Sequence, residues 1–264
     1  MKGVVLFDLD GTLCEPRKTV SPDTVSELRL LLRNGYKVGI VTGSGLDYIT
    51  EQFERHDLDL LKNSGVELLP CNGTQRYLRP ADFSYGVWSL VSPVISMREV
   101  LGPITWQRLQ LLLADKQAHV IRLWPDLPYT GNFVSYRGSM VNWCPIGRDS
   151  GHEERKVFES FDRKNNFRHR KLEILREECY KLSIPVTVKL GGLTSFDIYP
   201  KGWDKSYALR WYVNESVWFV GDRVGPDGND HEIYEAVKKS DRGFEVKDPA
   251  DIHNVVHKIL STGV

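Results

Sequence analysis

No apolar run in this sequence approaches the ~20 residues that a membrane-spanning helix needs. Neither sign of charge is in excess, since 35 Lys and Arg balance 35 Asp and Glu. Nothing global therefore points to nucleic acid or to an anionic membrane as a partner. Cysteine is scarce. Cys14, Cys71, Cys144 and Cys179 are scattered, with no Cys-x-x-Cys pair and no metal-ligand spacing, as expected of free thiols in a reducing cytosol. The first apolar stretch begins at once, which predicts no secretory leader and a cytoplasmic location. There is no internal repeat and no low-complexity segment. The one local imbalance runs from Arg137 to Lys171, with nine Lys and Arg against five Asp and Glu.

What is there is the material of a globular protein. Hydrophobic residues make up 41% and charged residues 27%, and 264 residues allow one large domain or two smaller ones. The chain is organised around Val4-Val5-Leu6-Phe7-Asp8-Leu9-Asp10-Gly11-Thr12. A short continuous apolar run is the pattern of a strand buried on both faces. Residues two apart on a strand share a side, so Asp8 and Asp10 are expected to project together from its carboxyl end, where open α/β sheets place their ligands. Two adjacent acids repel unless a cation lies between them. A hard divalent ion, most simply Mg²⁺, suits two carboxylates.

The rest of the chain reads in alternation. Ser21-Pro22-Asp23 starts a helix that Asn34-Gly35 ends, and Tyr36–Gly43 is the next strand. A helix is expected to open at Ser44 and run to about Arg55. The region 76–130 is proline-rich and hard to read, with one helical stripe from Ile104 to Lys116. Its tryptophans are expected to pack rather than to stack on a ligand. Asn132–Arg137 and Met140–Cys144 flank Gly138-Ser139 as a hairpin. One face of it carries Val134, Tyr136, Val141 and Trp143, and the other is partly polar. Ser150-Gly151-His152-Glu153 has capping-box spacing. A helix near 165–181, a strand pair over Val186–Tyr199 broken at Gly191-Gly192, and a buried strand Val217–Asp222 follow. Helices near 229–239 and 249–260 and a short strand at Gly243–Val246 end the pattern. The expected fold class is α/β: a Rossmann-like parallel-sheet core, residues 1–84 and 201–264, with an inserted α+β cap domain of antiparallel sheet and helices, residues 85–200.

Two constellations carry chemistry. Asp8, Asp10 and Asp222 each fall at the carboxyl end of an expected parallel strand, so all three can converge on one ion. Thr42 and Ser44 lie where a strand meets a helix start, and hydroxyls there suit phosphate. The second set is Arg137, Arg148 and Arg155 with Ser195 and Asp197. Three arginines around one turn and one helix start make a bidentate phosphate clamp. Ser195 and Asp197 share a strand face and suit sugar hydroxyls.

The Asp-x-Asp-Gly-Thr string after four apolar residues resembles the signature of the haloacid dehalogenase-like superfamily. That resemblance implies Asp8 as nucleophile, Asp10 as general acid/base, a phosphate-binding hydroxyl at Thr42 or Ser44, and Lys205 as the phosphate-screening lysine. It narrows further. Arg-Gly-Ser-Met-Val-Asn-Trp-Cys-Pro-Ile-Gly-Arg with Glu-Glu-Arg, Gly-Gly-Leu-Thr-Ser-Phe-Asp-Ile-Tyr-Pro-Lys-Gly-Trp-Asp-Lys, and Gly-Asn-Asp-His-Glu-Ile are similar to eukaryotic-type phosphomannomutases. The match covers about 1–75 and 132–260. It implies a Mg²⁺-dependent mutase that interconverts mannose 6-phosphate and mannose 1-phosphate through an aspartyl-phosphate, with a hexose 1,6-bisphosphate activator and a homodimer formed through the cap. It places the substrate's distal phosphate and sugar on Arg137, Arg148, Arg155, Ser195 and Asp197, and adds Arg17 near the nucleophile. The chain departs from the family pattern at Thr42, Cys71, Arg223 and Asp227, and the stretch 76–131 aligns poorly. The alternatives are a sugar-phosphate phosphatase on the same scaffold and a catalytically silent sugar-phosphate-binding protein.

Overall fold

Gly3–Phe7 form the first strand, and all five residues are buried, as their unbroken apolar pattern requires. The computed structural model describes residues 2–53, 58–61, 63, 65–79 and 88–262. In chain order the elements are β1 (Gly3–Phe7), α1 (Pro22–Arg33), β2 (Tyr36–Val41), α2 (Leu46–Glu51), α3 (Leu58–Leu61), β3 (Val66–Leu69), β4 (Tyr77–Leu78) and β5 (Ser89–Leu90). Then come α4 (Met97–Leu123), β6 (Val134–Tyr136), β7 (Val141–Trp143), α5 (His152–Asn165), α6 (Phe167–Lys181), β8 (Val186–Gly191) and β9 (Ser195–Pro200). A 3₁₀ helix over Lys205–Tyr212 leads to β10 (Val217–Gly221), α7 (His231–Lys238), β11 (Gly243–Glu245) and α8 (Ile252–Thr262). No helix among the described residues is long and apolar enough to cross a membrane.

The chain divides into two units, Met1–Val94 with Trp203–Val264, and Ile95–Gly202. The sequence-predicted seam at 84/85 lies outside the described residues. The division falls ten residues later, because β5 pairs antiparallel with β4 and so belongs to the first sheet.

The first unit is built on a sheet of order β11-β10-β1-β2-β3-β4-β5. Its first five strands are parallel, and β4 and β5 extend it antiparallel. The chain leaves β1 toward β2 on one side and returns to β10 on the other. The β1–β10 junction is therefore the switch point where such sheets place their sites. Alternation sorts the apolar residues onto two faces. Val5, Phe7, Val38, Ile40 and Val220 pack with Val25, Leu28 and Leu31 of α1, Ile49 of α2 and Val256 and Ile259 of α8. Val4, Leu6, Val217 and Phe219 pack with Ala208, Tyr212, Ile233 and Val237. Leu28 is completely buried, so truncating it to Ala would cost about 2–5 kcal/mol.

The second unit is an antiparallel sheet of order β6-β7-β9-β8 with α4, α5 and α6. The hairpin has the register its sequence predicts, Val134 opposite Trp143 and Tyr136 opposite Val141. Arg137 N donates to Met140 O across the turn at 2.8 Å. Trp143 and Phe196 stack at 5.0 Å on the apolar face, where Trp143 Nε1 donates to Gln117 of α4 at 2.8 Å. Trp124 packs edge-on against Phe161 and Phe167, so this tryptophan serves the core.

Three expectations about helix starts are corrected. The helix expected at Ser44 begins at Leu46 with Gly45 at its N-cap, and its expected end at Arg55 lies outside the described residues. Ser150 does not cap α5. Gly151 holds the N-cap position, and the Ser150 hydroxyl donates to Gly147 O at 2.7 Å instead. The helix expected over Ile104–Lys116 extends to Met97–Leu123 and is broken at Gly102, whose φ of 72° and ψ of 163° are not helical.

Candidate active site

Asp8 is the first residue beyond β1, and its amide donates to Val220 O at 2.9 Å, locking it to the neighbouring strand β10. Asp222 is the first residue beyond β10. Asp8, Asp222 and Asp230 each offer a carboxylate oxygen, and these oxygens lie within 4.8 Å of one another. Gly11 makes room for this approach. Its φ is +89°, and a Cβ there would stand 2.3 Å from Asp222 Oδ2.

Lys205 enters the cluster from the start of the 3₁₀ helix, whose N-cap Asp204 accepts a hydrogen bond from Ser206 N. Its ammonium is completely buried and bridges two carboxylates, Asp8 Oδ1 at 2.5 Å and Asp230 Oδ1 at 2.6 Å. Burial alone would lower its pKa, but the Asp230 and Asp8 charges outweigh burial and raise it, so Lys205 stays charged. Asp8 is held well above the ordinary carboxylate range, first by burial and then by the Asp230 charge, with Lys205 pulling the other way. Asp222 is pushed up to about 6 by burial and then by Asp230. The group is thus short of positive charge. Arg223 lies 3.6 Å from Asp222 Oδ2 and relieves part of that deficit.

Asp10 is corrected as a side-chain member of this cluster. Strand β1 ends at Phe7, so the two-residue alternation that paired Asp8 with Asp10 stops before either acid. Asp10 turns away, and its Oδ1 accepts from the Tyr48 hydroxyl at 2.6 Å and from Arg17 N at 3.2 Å. Asp230 takes the third place. It was legible only as part of the Gly-Asn-Asp string, since it sits at the N-cap of α7 rather than at a strand end.

Thr42 follows β2, and its Oγ1 accepts from Ser44 N at 3.2 Å. The segment is tied to the next loop, with Cys71 N donating to Ser44 O at 2.9 Å and Asn72 N to Thr42 O at 2.8 Å. Cys71, Asn72 and Gly73 all have positive φ. A Cβ on Gly73 would meet Ala208 at 2.5 Å, so this turn packs directly on the helix that carries Lys205.

In the second unit the five expected residues fall into two sets. On the polar face of the sheet, Asn142 pairs with Asp197, and Asp197 pairs with Lys189. Asn142 Nδ2 donates to Asp197 Oδ1 at 2.7 Å and to Ser195 Oγ at 3.0 Å, while Ser195 donates to Gly191 O. Asn142 Oδ1 is buried without a hydrogen-bond partner. Asn142 and Lys189 are not among the residues that the sequence singles out, and cross-strand pairing with Ser135 and Asp197 puts both on this face. The other set centres on Arg155. Its Nε donates to Ser150 O at 3.0 Å, Nη1 to Thr194 Oγ1 at 2.6 Å and Nη2 to Arg148 O at 3.3 Å. Arg155 therefore builds the turn that presents Arg148. Arg137 is the first residue beyond β6, two residues from Ser135, which pairs with Asn142.

A family model described as eukaryotic phosphomannomutase matches residues 25–262. A probable phosphomannomutase of Caenorhabditis elegans is 33% identical over 263 residues, spanning 97% of this chain and 95% of its own. The Triticum aestivum phosphomannomutase is 36% identical over 262 residues, spanning 94% and 91%. Among solved structures, an IMP-bound Plasmodium falciparum IMP-nucleotidase aligns with a TM-score of 0.65 at 14% identity, covering 98% of this chain and 68% of that one. A haloacid dehalogenase-like hydrolase from Bacteroides thetaiotaomicron aligns with a TM-score of 0.56 at 15% identity, covering 97% and 99%. At these identities the structural likeness is one of fold.

Proposed function

The chain belongs to the eukaryotic phosphomannomutase family, and from that premise we propose that it interconverts mannose 6-phosphate and mannose 1-phosphate, with Asp8 carrying the phosphoryl group. The observation that supports phosphoryl transfer most strongly is the buried Lys205 bridge between Asp8 and Asp230. It fixes one Asp8 oxygen and leaves the carboxylate oriented for attack through the other.

Asp8 attacks phosphorus of a hexose 1,6-bisphosphate. The Asp8 O–P bond forms, the sugar O–P bond breaks, and Asp10 gives its proton to the leaving oxygen. In the return step a hydroxyl of the monophosphate gives its proton to Asp10 and takes the phosphoryl group from Asp8. Repeating the cycle from the other end of the bisphosphate completes the isomerisation. Tyr48 and Arg17 N hold Asp10 for both proton transfers. Thr42 and Ser44 supply hydroxyls to the phosphoryl oxygens, and Arg17 supplies charge beside the nucleophile.

Magnesium is part of the proposal, held by Asp8, Asp222 and Asp230. The residues fit it, because three carboxylates are a hard oxygen donor set and Asp222 Oδ1 is buried with no hydrogen-bond partner. When bound, the ion neutralises the charge on the phosphoryl oxygens.

A mutase must hold a sugar by the end that is not reacting. Arg137 and Arg148 take that phosphate, Arg155 holds the turn that presents Arg148, and Asn142, Ser195 and Asp197 take the sugar hydroxyls. A phosphatase needs no such second anion subsite. Asp8→Asn tests the assignment. It is expected to abolish turnover while Mg²⁺-dependent binding of the sugar phosphate persists. Surviving turnover would mean that Asp8 is not the nucleophile.

A further inference from the structure

We propose that Glu27, His253 and His257 form a second cation site, selective for a borderline transition metal such as Zn²⁺, that joins α1 to α8. His253 and His257 are one helical turn apart, so their rings lie on one side of α8, with centroids 4.3 Å apart. Glu27 reaches both from α1. Its Oε1 is 2.8 Å from His253 Nδ1, and its Oε2 is 3.8 Å from His257 Nε2. One donor atom from each residue lies within 4.8 Å of the other two.

The two oxygens are not equally satisfied. The first has a hydrogen bond to His253. The second is buried with no hydrogen-bond partner, and 3.8 Å is too long for one. That spacing suits two ligands of a common ion. Donors that each lie about 2.0–2.2 Å from tetrahedral Zn²⁺ are roughly 3.4 Å apart, and the distances of 2.8 and 3.8 Å fall on either side of this. Small rotations of two exposed imidazoles bring all three donors to one centre. The His253 and His257 side chains are 64% and 53% exposed, so an ion enters from solvent and water completes its fourth position.

The donor chemistry separates this site from the carboxylate cluster around Asp8, with which it shares no residue. Two imidazoles and one carboxylate favour Zn²⁺, Cu²⁺ or Ni²⁺ over Mg²⁺, which prefers oxygen throughout. An ion here would clamp the first helix of the chain to the last. Because unfolding separates α1 from α8, bound metal would oppose it.

The test is calorimetric titration of ZnCl₂ into the full chain under saturating Mg²⁺, with thermal melts in parallel. The wild type is expected to bind one equivalent and to melt higher with Zn²⁺. His253→Asn, His257→Asn and Glu27→Gln are each expected to weaken binding at least tenfold and to remove the rise in Tm, leaving turnover in Mg²⁺ alone unchanged. Co²⁺ is expected to give visible d–d absorption in the wild type and to lose it in the His variants. No Zn²⁺ binding by the wild type, or undiminished binding in all three variants, would overturn the proposal. So would Zn²⁺ binding that is lost only in Asp222→Asn.

Discussion

The Tyr48 hydroxyl donates a hydrogen bond of 2.6 Å to Oδ1 of Asp10, the acid that turns away from the carboxylate cluster. Burial, and then the Asp10 charge, push the Tyr48 hydroxyl far above its ordinary range, so the phenol keeps its proton and acts only as donor. Tyr48 touches no reacting atom in the proposed chemistry, which makes it a positioning residue. A hydrogen bond to a charged group contributes about 1.5–3 kcal/mol, which corresponds to roughly ten- to a hundredfold in rate. Tyr48→Phe is therefore expected to lower kcat by that factor and to leave KM within about twofold. Steady-state kinetics separate the two. A raised KM at unchanged kcat would place Tyr48 on the substrate instead.

Asp222 ties stability to pH and to magnesium. Its pKa is pushed up to about 6, by burial first and by Asp230 second, from an unfolded value near 3.9. Between these values the folded state holds the proton more tightly than the unfolded state does. Stability from this group is thus fully present below about pH 4 and is lost as pH rises through about 6. Bound cation reverses that loss, because it needs the charged carboxylate. The gain in Tm on moving from chelator to Mg²⁺ is expected to grow between pH 5 and 7. Asp222→Asn should flatten it. A gain that does not vary with pH, or that survives the substitution intact, would contradict this origin.

Arg155 and Arg148 are expected to fail in different ways. The Arg155 guanidinium makes three hydrogen bonds inside its own unit, so Arg155→Lys removes about two of them. At about 1 kcal/mol each, the loss is expected to lower Tm by about 4–8 °C. Arg148→Gln is expected to leave Tm nearly unchanged. It should lower mutase flux more than hydrolysis of a small phosphoryl donor such as acetyl phosphate. Equal losses in both assays would mean that Arg148 serves the fold.

The elements legible in the sequence were those whose pattern has one physical solution. Val4–Phe7 and Val217–Val220 read as strands because only burial on both faces explains such runs, and both lie in strands paired on both sides in the sheet. The hairpin register followed from Gly138-Ser139. Local rules failed where tertiary contacts overrode them. Ser150 has capping-box spacing, yet its hydroxyl is taken by Gly147. Alternation carried three residues past the end of β1 placed Asp10 beside Asp8, although the strand had already ended. Asp230 was not singled out because its partner, Lys205, is 25 residues away in sequence and meets it only in the fold. Glu27 and His253 are separated by 226 residues, so no local pattern announced their contact.

The central claim is that Asp8 passes its phosphoryl group back to a sugar rather than to water. Phosphorus NMR of turnover with mannose 1-phosphate, Mg²⁺ and a catalytic amount of glucose 1,6-bisphosphate reads both fates at once. The expected result is conversion of the 1-phosphate resonance to that of mannose 6-phosphate, dependent on the bisphosphate, with little inorganic phosphate. Accumulation of inorganic phosphate with no 6-phosphate would contradict the claim and identify a phosphatase.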